Sequence, residues 1–206
     1  MTMARNLTLT ASMGLAAILG SCSDPVPPAA QGAASIDLGP PSIDAAGLGA
    51  KCSNQHWINV PYNANTKGYV TSASSAPSRA IDGENGATVA CSVKQSGASY
   101  AVNGSLFSSA NNGMVEISFQ ITPGQDATGV LTVSDADTVS SYTLDSARVG
   151  SSKCTVSVTP AAGEGLGIAP GRVWAKVWCT DLAIYGSPGS ICSVPNSYVV
   201  LENCDK

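Results

Sequence analysis

The stretch RVWAKVWC, residues 172–179, decides the fold, because its pattern is that of a β-strand with two different faces. One face carries Val173, Ala175, Val177 and Cys179, and the other carries Trp174, Lys176 and Trp178. An antiparallel partner is KCTVSVTP, residues 153–160. When Cys154 is set opposite Cys179, valines fall opposite apolar residues along that face, as a correct register requires. The sequence therefore predicts a hairpin with a Cys154–Cys179 disulfide and an apolar face toward the core.

The tryptophan face of this strand is the first candidate for a binding surface. Burying one tryptophan stabilises a fold by on the order of 4–6 kcal/mol. We therefore expect another sheet, or the segment around Trp57, to cover at least one of the two tryptophans. If they are exposed instead, Trp174, Lys176 and Trp178 would form a stacking platform for a sugar or a lipid.

The composition favours short strands joined by turns. Charged residues make up 12% of the chain and hydrophobic residues 44%, with few of the residues that favour helices. The formal net charge is −4 and no basic run is present, which argues against nucleic acid as a partner.

Alternating segments continue through the rest of the chain. Residues 114–119 alternate between two faces after the turn signal NNG at 111–113, and residues 89–94 alternate similarly. About eight to ten such strands predict an antiparallel, disulfide-stapled β-sandwich or flattened barrel. We assign it residues 51–206 and expect no sustained amphipathic helix there.

The beginning of the sequence has the pattern of an export signal. Arg5 precedes an apolar stretch, and Leu19, Gly20 and Ser21 lead directly to Cys22. This is a lipobox, so residues 1–21 are expected to be a lipoprotein signal peptide and Cys22 the acylated residue. Acyl chains would anchor the protein at a membrane of the bacterial envelope. Ser23 stands where Asp would signal inner-membrane retention, which favours the outer membrane if two membranes exist.

Residues 22–50 read as a flexible linker after the acylated cysteine. Pro, Ala, Gly and Ser dominate this segment and no apolar period is sustained. Such a composition buries too little apolar surface to offset the entropy of ordering. We expect a disordered tether before the folded domain.

Besides Cys22, the chain has Cys52, Cys91, Cys154, Cys179, Cys192 and Cys204. An even number of cysteines in an exported chain predicts a disulfide framework. Proximity in sequence suggests Cys192–Cys204 and Cys52–Cys91 beside the Cys154–Cys179 pair. A zinc site is disfavoured because the chain has no C-x-x-C pair and a single histidine.

Catalytic patterns are mostly missing from the sequence. His56 is the only histidine, and no G-x-S-x-G elbow accompanies a serine. Asp135 and Asp137 are expected in a solvated turn, and residues 135–145 depart from a calcium loop at several positions. Asp82, in IDGENG, is expected in a turn. We therefore expect no enzyme activity, no metal and no cofactor.

The organisation resembles that of the small acylated surface lipoprotein antigens of mycobacteria (the LpqH type). The resemblance is carried by the lipobox at Cys22 and the low-complexity segment after it. IDGENGATVACSV at 81–93 running into GASYAVNGSL at 97–106, and WAKVWC at 174–179, complete it. The resemblance implies a surface-displayed acylated β-domain without known catalysis. It also implies a Cys91–Cys179 disulfide, which would contradict the register argument and free Cys154 for Cys192 or Cys204.

These observations predict a membrane-anchored envelope lipoprotein with a non-catalytic β-domain for binding or envelope structure. The alternative is a carbohydrate- or lipid-binding module that uses Trp174 and Trp178. The expected partners are the membrane, through the acyl chains on Cys22, and a glycan, a lipid or an envelope protein. The protein is expected to be monomeric.

Overall fold

The computed structural model of the protein describes residues 26–37, 39, 57–60, 79–109, 113–135, 144–145, 154–159, 166–184 and 191–206. Within these ranges the chain forms twelve β-strands and no helix. The strands are β1 (Gln31–Asp37), β2 (Trp57–Val60), β3 (Ala80–Ile81), β4 (Ala87–Ser96), β5 (Ser99–Ser108), β6 (Gly113–Ile121), β7 (Ala127–Asp135), β8 (Leu144–Asp145), β9 (Cys154–Ser157), β10 (Gly167–Ala169), β11 (Arg172–Ile184) and β12 (Ile191–Glu202).

The strands form one antiparallel sheet that nearly closes into a barrel. Along the sheet the order is β2-β1-β12-β11-β8-β7-β6-β5-β4. Strand β9 pairs with both β11 and β7, β10 pairs with β11, and β3 pairs with β1. The prediction of an all-β, disulfide-stapled antiparallel fold is confirmed, and the arrangement is that of the flattened barrel.

Strands β4 to β7 form a meander of successive hairpins, and their side chains alternate as the sequence predicts. The inner face supplies much of the core with Val89, Val93, Val102, Leu106, Val115, Ile117, Phe119, Ile121, Leu131 and Val133. The outer face is mainly polar, with Lys94, Glu116 and Gln120 exposed. One buried face and one solvated face are typical of antiparallel sheets.

Strand β11 has the predicted register. Val177 lies opposite Val156, and Trp178 lies opposite Thr155. The disulfide between Cys154 and Cys179 is formed, with an S–S distance of 2.07 Å. Both cysteines are buried, so the apolar face of RVWAKVWC is the core face.

Strand β1 lies within the segment that the sequence predicts to be a flexible linker. Residues 31–37 pair with β12 on one side and with β2 on the other, so this part of the supposed tether lies inside the sheet. Ala34 and Ile36 belong to the core, and Ala33 is buried on the opposite face. A strand covered on both faces does not need polar alternation, and small residues let its neighbours pack closely. The fold therefore includes residues well before the predicted boundary at 51.

The C-terminal residues help to close the barrel. After β12, Asp205 runs parallel to β4: Val93 N donates to Asp205 O at 2.8 Å, and Asp205 N donates to Cys91 O at 3.1 Å. Gly171 lies in the same seam, because its N donates to Val93 O and its O accepts from Cys204 N. A disulfide between Cys91 and Cys204 fastens this seam.

This disulfide shows that three expected pairings are wrong. Because Cys91 is bonded to Cys204, neither Cys192–Cys204 nor Cys52–Cys91 forms, and the Cys91–Cys179 pairing implied by the family resemblance does not form either. Proximity in sequence fails here because barrel closure brings β4 to the end of the chain. Cys192 is also disulfide-bonded, to a cysteine outside the described ranges.

Candidate functional site

Trp174, Lys176 and Trp178 lie on the outer face of β11, and each is half-buried. Trp174 packs against a small apolar cluster formed by Leu166 and Tyr198, both of which are buried. Trp174 is therefore partly covered, by a residue of its own sheet and one from the segment before β10 rather than by a second sheet. The expected contribution of Trp57 cannot be compared, because its side chain lies outside the described part of the structure.

Trp174 also contacts a polar network that consists of Arg79, Gln31 and Glu202. The guanidinium carbon Cζ of Arg79 lies 5.9 Å from the centre of the indole ring, within the range of a cation–π contact. Arg79 Nε donates to Oε2 of Glu202 at 3.0 Å, and Gln31 Nε2 donates to the same oxygen at 3.3 Å. The side chain of Arg79 is only 14% exposed, so its cation–π contact with the indole is largely shielded from water.

A pocket of about 320 Å³ lies beside Trp174. Its walls are formed by Leu166, Gly167, Ile168, Arg172, Val173, Trp174, Val200 and Glu202. Small-molecule sites in proteins begin at about this volume and combine mostly apolar walls with a few polar groups. We refer to it below as the Trp174 pocket.

The indole nitrogen of Trp174 is an unsatisfied donor. Nε1 is buried and has no hydrogen-bond acceptor among the described residues. A buried donor without an acceptor costs about 1–3 kcal/mol. Such groups are rare in folded proteins, and an acceptor from outside the chain would reach this N–H only after a local shift exposes it.

The hairpin between β10 and β11 builds one wall of the pocket. Gly171 has a φ of 79°, the left-handed conformation that a tight turn after Pro170 requires. Gly167 then pairs with Trp174 across the hairpin. A Cβ added at Gly167 would meet no atom of the described residues within 4 Å, so among them this glycine leaves open space at the pocket wall.

Of the three predicted binding residues, only Trp174 lines this pocket; Lys176 and Trp178 lie further along the same face. Sequence reasoning missed Arg172, although it alternates with Trp174 and shares its face. It also missed Arg79 and Glu202, which come from distant parts of the chain and carry no local signal.

A second, more open depression of about 490 Å³ lies on the outer face of β4 to β7. Its floor consists of paired rows of small side chains, including Ser92, Asn103 and Ser118. Ser118 Oγ donates to Asn103 Oδ1 at 2.8 Å. The depression also has apolar side chains in its wall, Ile117 and Val130, but it is more open and has no unsatisfied buried donor among the described residues, which makes it the weaker candidate for a small-molecule site.

No group of three or more potential metal ligands occurs among the described residues. The carboxylate of Asp82 accepts a hydrogen bond from Val89 N at 2.9 Å and belongs to a turn, as predicted. His56 and Asp137 lie outside the described residues.

The predicted acylation site Cys22 also lies outside the described residues. Within the described ranges, no helix has the length and apolar character needed to cross a lipid bilayer. No family model matches the chain, and no curated protein and no solved structure is significantly similar to it.

Proposed function

We propose that this chain is a lipid-anchored lipoprotein of a bacterial envelope, acylated on Cys22, with a non-catalytic β-barrel domain for binding or envelope structure. The lipobox from Leu19 to Cys22 and the resemblance to the mycobacterial surface antigens support this proposal. The acyl chains make the membrane the first partner, and Ser23 favours the outer membrane if two are present.

The state of the cysteines is the observation that carries the proposal. All five cysteines in the described part of the chain are disulfide-bonded: Cys91, Cys154, Cys179, Cys192 and Cys204. Disulfides persist in exported proteins and are rare in the reducing cytosol. A disulfide framework following a lipobox fits a domain that is exported and anchored.

Replacing the acylated cysteine tests the anchor. Cys22→Ala is expected to move the protein from the membrane fraction to the soluble fraction and to abolish incorporation of labelled fatty acid, because lipidation needs the thiol. Ser23→Ala, which leaves the lipobox intact, is the control and should remain in the membrane fraction. Membrane fractionation of Cys22→Ala like that of the wild type would contradict the proposal.

A second role for the same domain is ligand binding at Trp174. The specific observation in its favour is a pocket whose wall combines apolar side chains with Arg172 and Glu202, next to the unsatisfied indole N–H of Trp174. This candidate keeps the predicted carbohydrate- or lipid-binding module, but moves the site from the platform of Trp174 and Trp178 to the Trp174 pocket. It is compatible with the anchor.

A further inference from the structure

We propose that the Trp174 pocket binds a small amphipathic oxyanion, that is, an apolar chain or ring ending in a carboxylate or a phosphate. The inference rests on the proposed binding role of the domain and narrows it to one class of ligand. It is independent of acylation at Cys22, so each proposal can fail without the other.

The apolar walls of the pocket fit the body of such a ligand. Leu166 is 8% exposed and Val200 2% exposed, and Ile168 and Trp174 are half-buried beside them. A chain or ring that enters this space exchanges contact with water for contact with aliphatic and aromatic side chains.

Arg172 gives the pocket a positive charge. It is exposed, and its side chain has no ion pair or hydrogen bond in the described part of the protein. The other charged residue of the wall, Glu202, is paired with Arg79. The uncompensated charge is therefore that of Arg172, whose guanidinium group is suited to bidentate contacts with carboxylate or phosphate.

The orphaned indole N–H favours the same class of ligand. An oxyanion has several oxygen atoms that accept hydrogen bonds, and one of them would reach the buried Nε1 of Trp174 after a small shift of the indole. A cationic head group would offer further donors instead and would be repelled by Arg172. The charge and the missing acceptor are independent observations, and both point to an oxyanion.

The surroundings of Trp174 are already in place for binding. The contacts from Gln31 and Arg79 to Glu202, and the packing of Trp174 on Tyr198, hold the indole without any ligand. A ligand that enters a preformed site loses less free energy to ordering of the protein. The pocket is thus largely preformed, and binding needs only the local shift that exposes Nε1 of Trp174.

The indole resonances of the full chain, labelled with ¹⁵N at tryptophan, report on binding directly. The Trp174 resonance is identified by its loss in Trp174→Phe. Titration with octanoate or octyl phosphate is expected to shift this resonance saturably. Octanamide has the same chain and an acceptor oxygen but no charge, and should bind at least about tenfold more weakly. A response to only one of the two anions supports the proposal and identifies the head group.

Two variants and a matched control locate the binding. Gly167→Leu adds a side chain where open space lies at the pocket wall, and should abolish the saturable shift. Arg172→Gln removes the charge without filling the pocket, and should weaken octanoate binding about tenfold. Lys94→Gln removes an exposed charge of the same sign on β4 and should leave binding unchanged.

Four results would overturn the inference. They are no saturable shift with either anion, equal affinity for octanamide and octanoate, wild-type binding in Arg172→Gln, or a saturable shift with glucose in place of the anions. The last result would make a carbohydrate the ligand. None of them affects the membrane fractionation that tests the anchor.

Discussion

At the scale of single residues, Gly104 illustrates how tightly the barrel interior is filled. It lies on the inner face of β5, and a Cβ at this position would collide with the side chain of Leu201, which is fully buried in β12. Protein interiors are packed to near-crystalline density, so Leu201 has little room to yield. The contact joins strands that are not neighbours in the sheet.

Gly104→Ala is therefore expected to destabilise the protein by about 1–3 kcal/mol through overpacking. Gly167→Ala is the matched control, because a Cβ there meets no atom of the described part of the chain within 4 Å and both substitutions restrict the unfolded chain equally. Its free energy of unfolding should stay within about 0.5 kcal/mol of the wild type. Urea unfolding measures both, and equal midpoints for the two variants would show that Leu201 does not constrain position 104.

Some residues around Trp174 could be predicted from the sequence, and others could not. Trp174 was identifiable because strand alternation alone puts it on the face opposite the core. Arg79 and Glu202 were not, since they reach Trp174 only when β12 and the segment before β3 lie against β11. Local periodicity contains no information about such contacts.

At the scale of elements, the two disulfides constrain the barrel differently. Cys154–Cys179 joins neighbouring strands that are 25 residues apart in sequence. Cys91–Cys204 joins β4 to the end of the chain across 113 residues. The entropy that a cross-link removes from the unfolded chain grows with the length of the loop.

Removing the long-range disulfide should therefore cost more stability. Loop-closure entropy gives about 5 kcal/mol for Cys91→Ala with Cys204→Ala, against about 3.5 kcal/mol for Cys154→Ala with Cys179→Ala. The two double variants serve as controls for each other, since each replaces two thiols by methyl groups. Urea unfolding midpoints give the order, and a greater loss for the Cys154/Cys179 variant would contradict it.

Which elements the sequence revealed depended on how local their pairing is. The register of β9 on β11 was predictable because setting Cys154 opposite Cys179 also aligns the apolar faces of the two strands. Strand β1 was missed because its small residues, buried on both faces, look like a linker until β2 and β12 cover them. The Cys91–Cys204 bond was missed because only barrel closure brings those residues together.

At the scale of the whole molecule, one cysteine connects the barrel to the remainder of the chain. Cys192 is disulfide-bonded, and the other four described cysteines are bonded to each other. Its partner is therefore one of the two cysteines outside the described ranges, Cys22 or Cys52. A lipid on the sulfur of Cys22 would leave Cys52 as the only choice.

Peptide mapping without reduction is thus expected to recover a Cys52–Cys192 peptide from the mature protein. The same peptide should appear in Cys22→Ala, because that substitution removes the anchor and not the disulfide. A peptide that joins Cys22 to Cys192 would contradict both the pairing and the acylation of Cys22.

The position of β1 also sets how far the domain can stand from the bilayer. If the lipid is on Cys22, the segment from Ser23 to Ala30 is all that separates the anchor from the first strand of the barrel. Fully extended, this segment spans at most about 30 Å, which is roughly a third of the maximum length of a linker that reached residue 50. The barrel would therefore lie close to the lipid head groups and in a limited range of orientations. It would bind its ligands at the membrane surface.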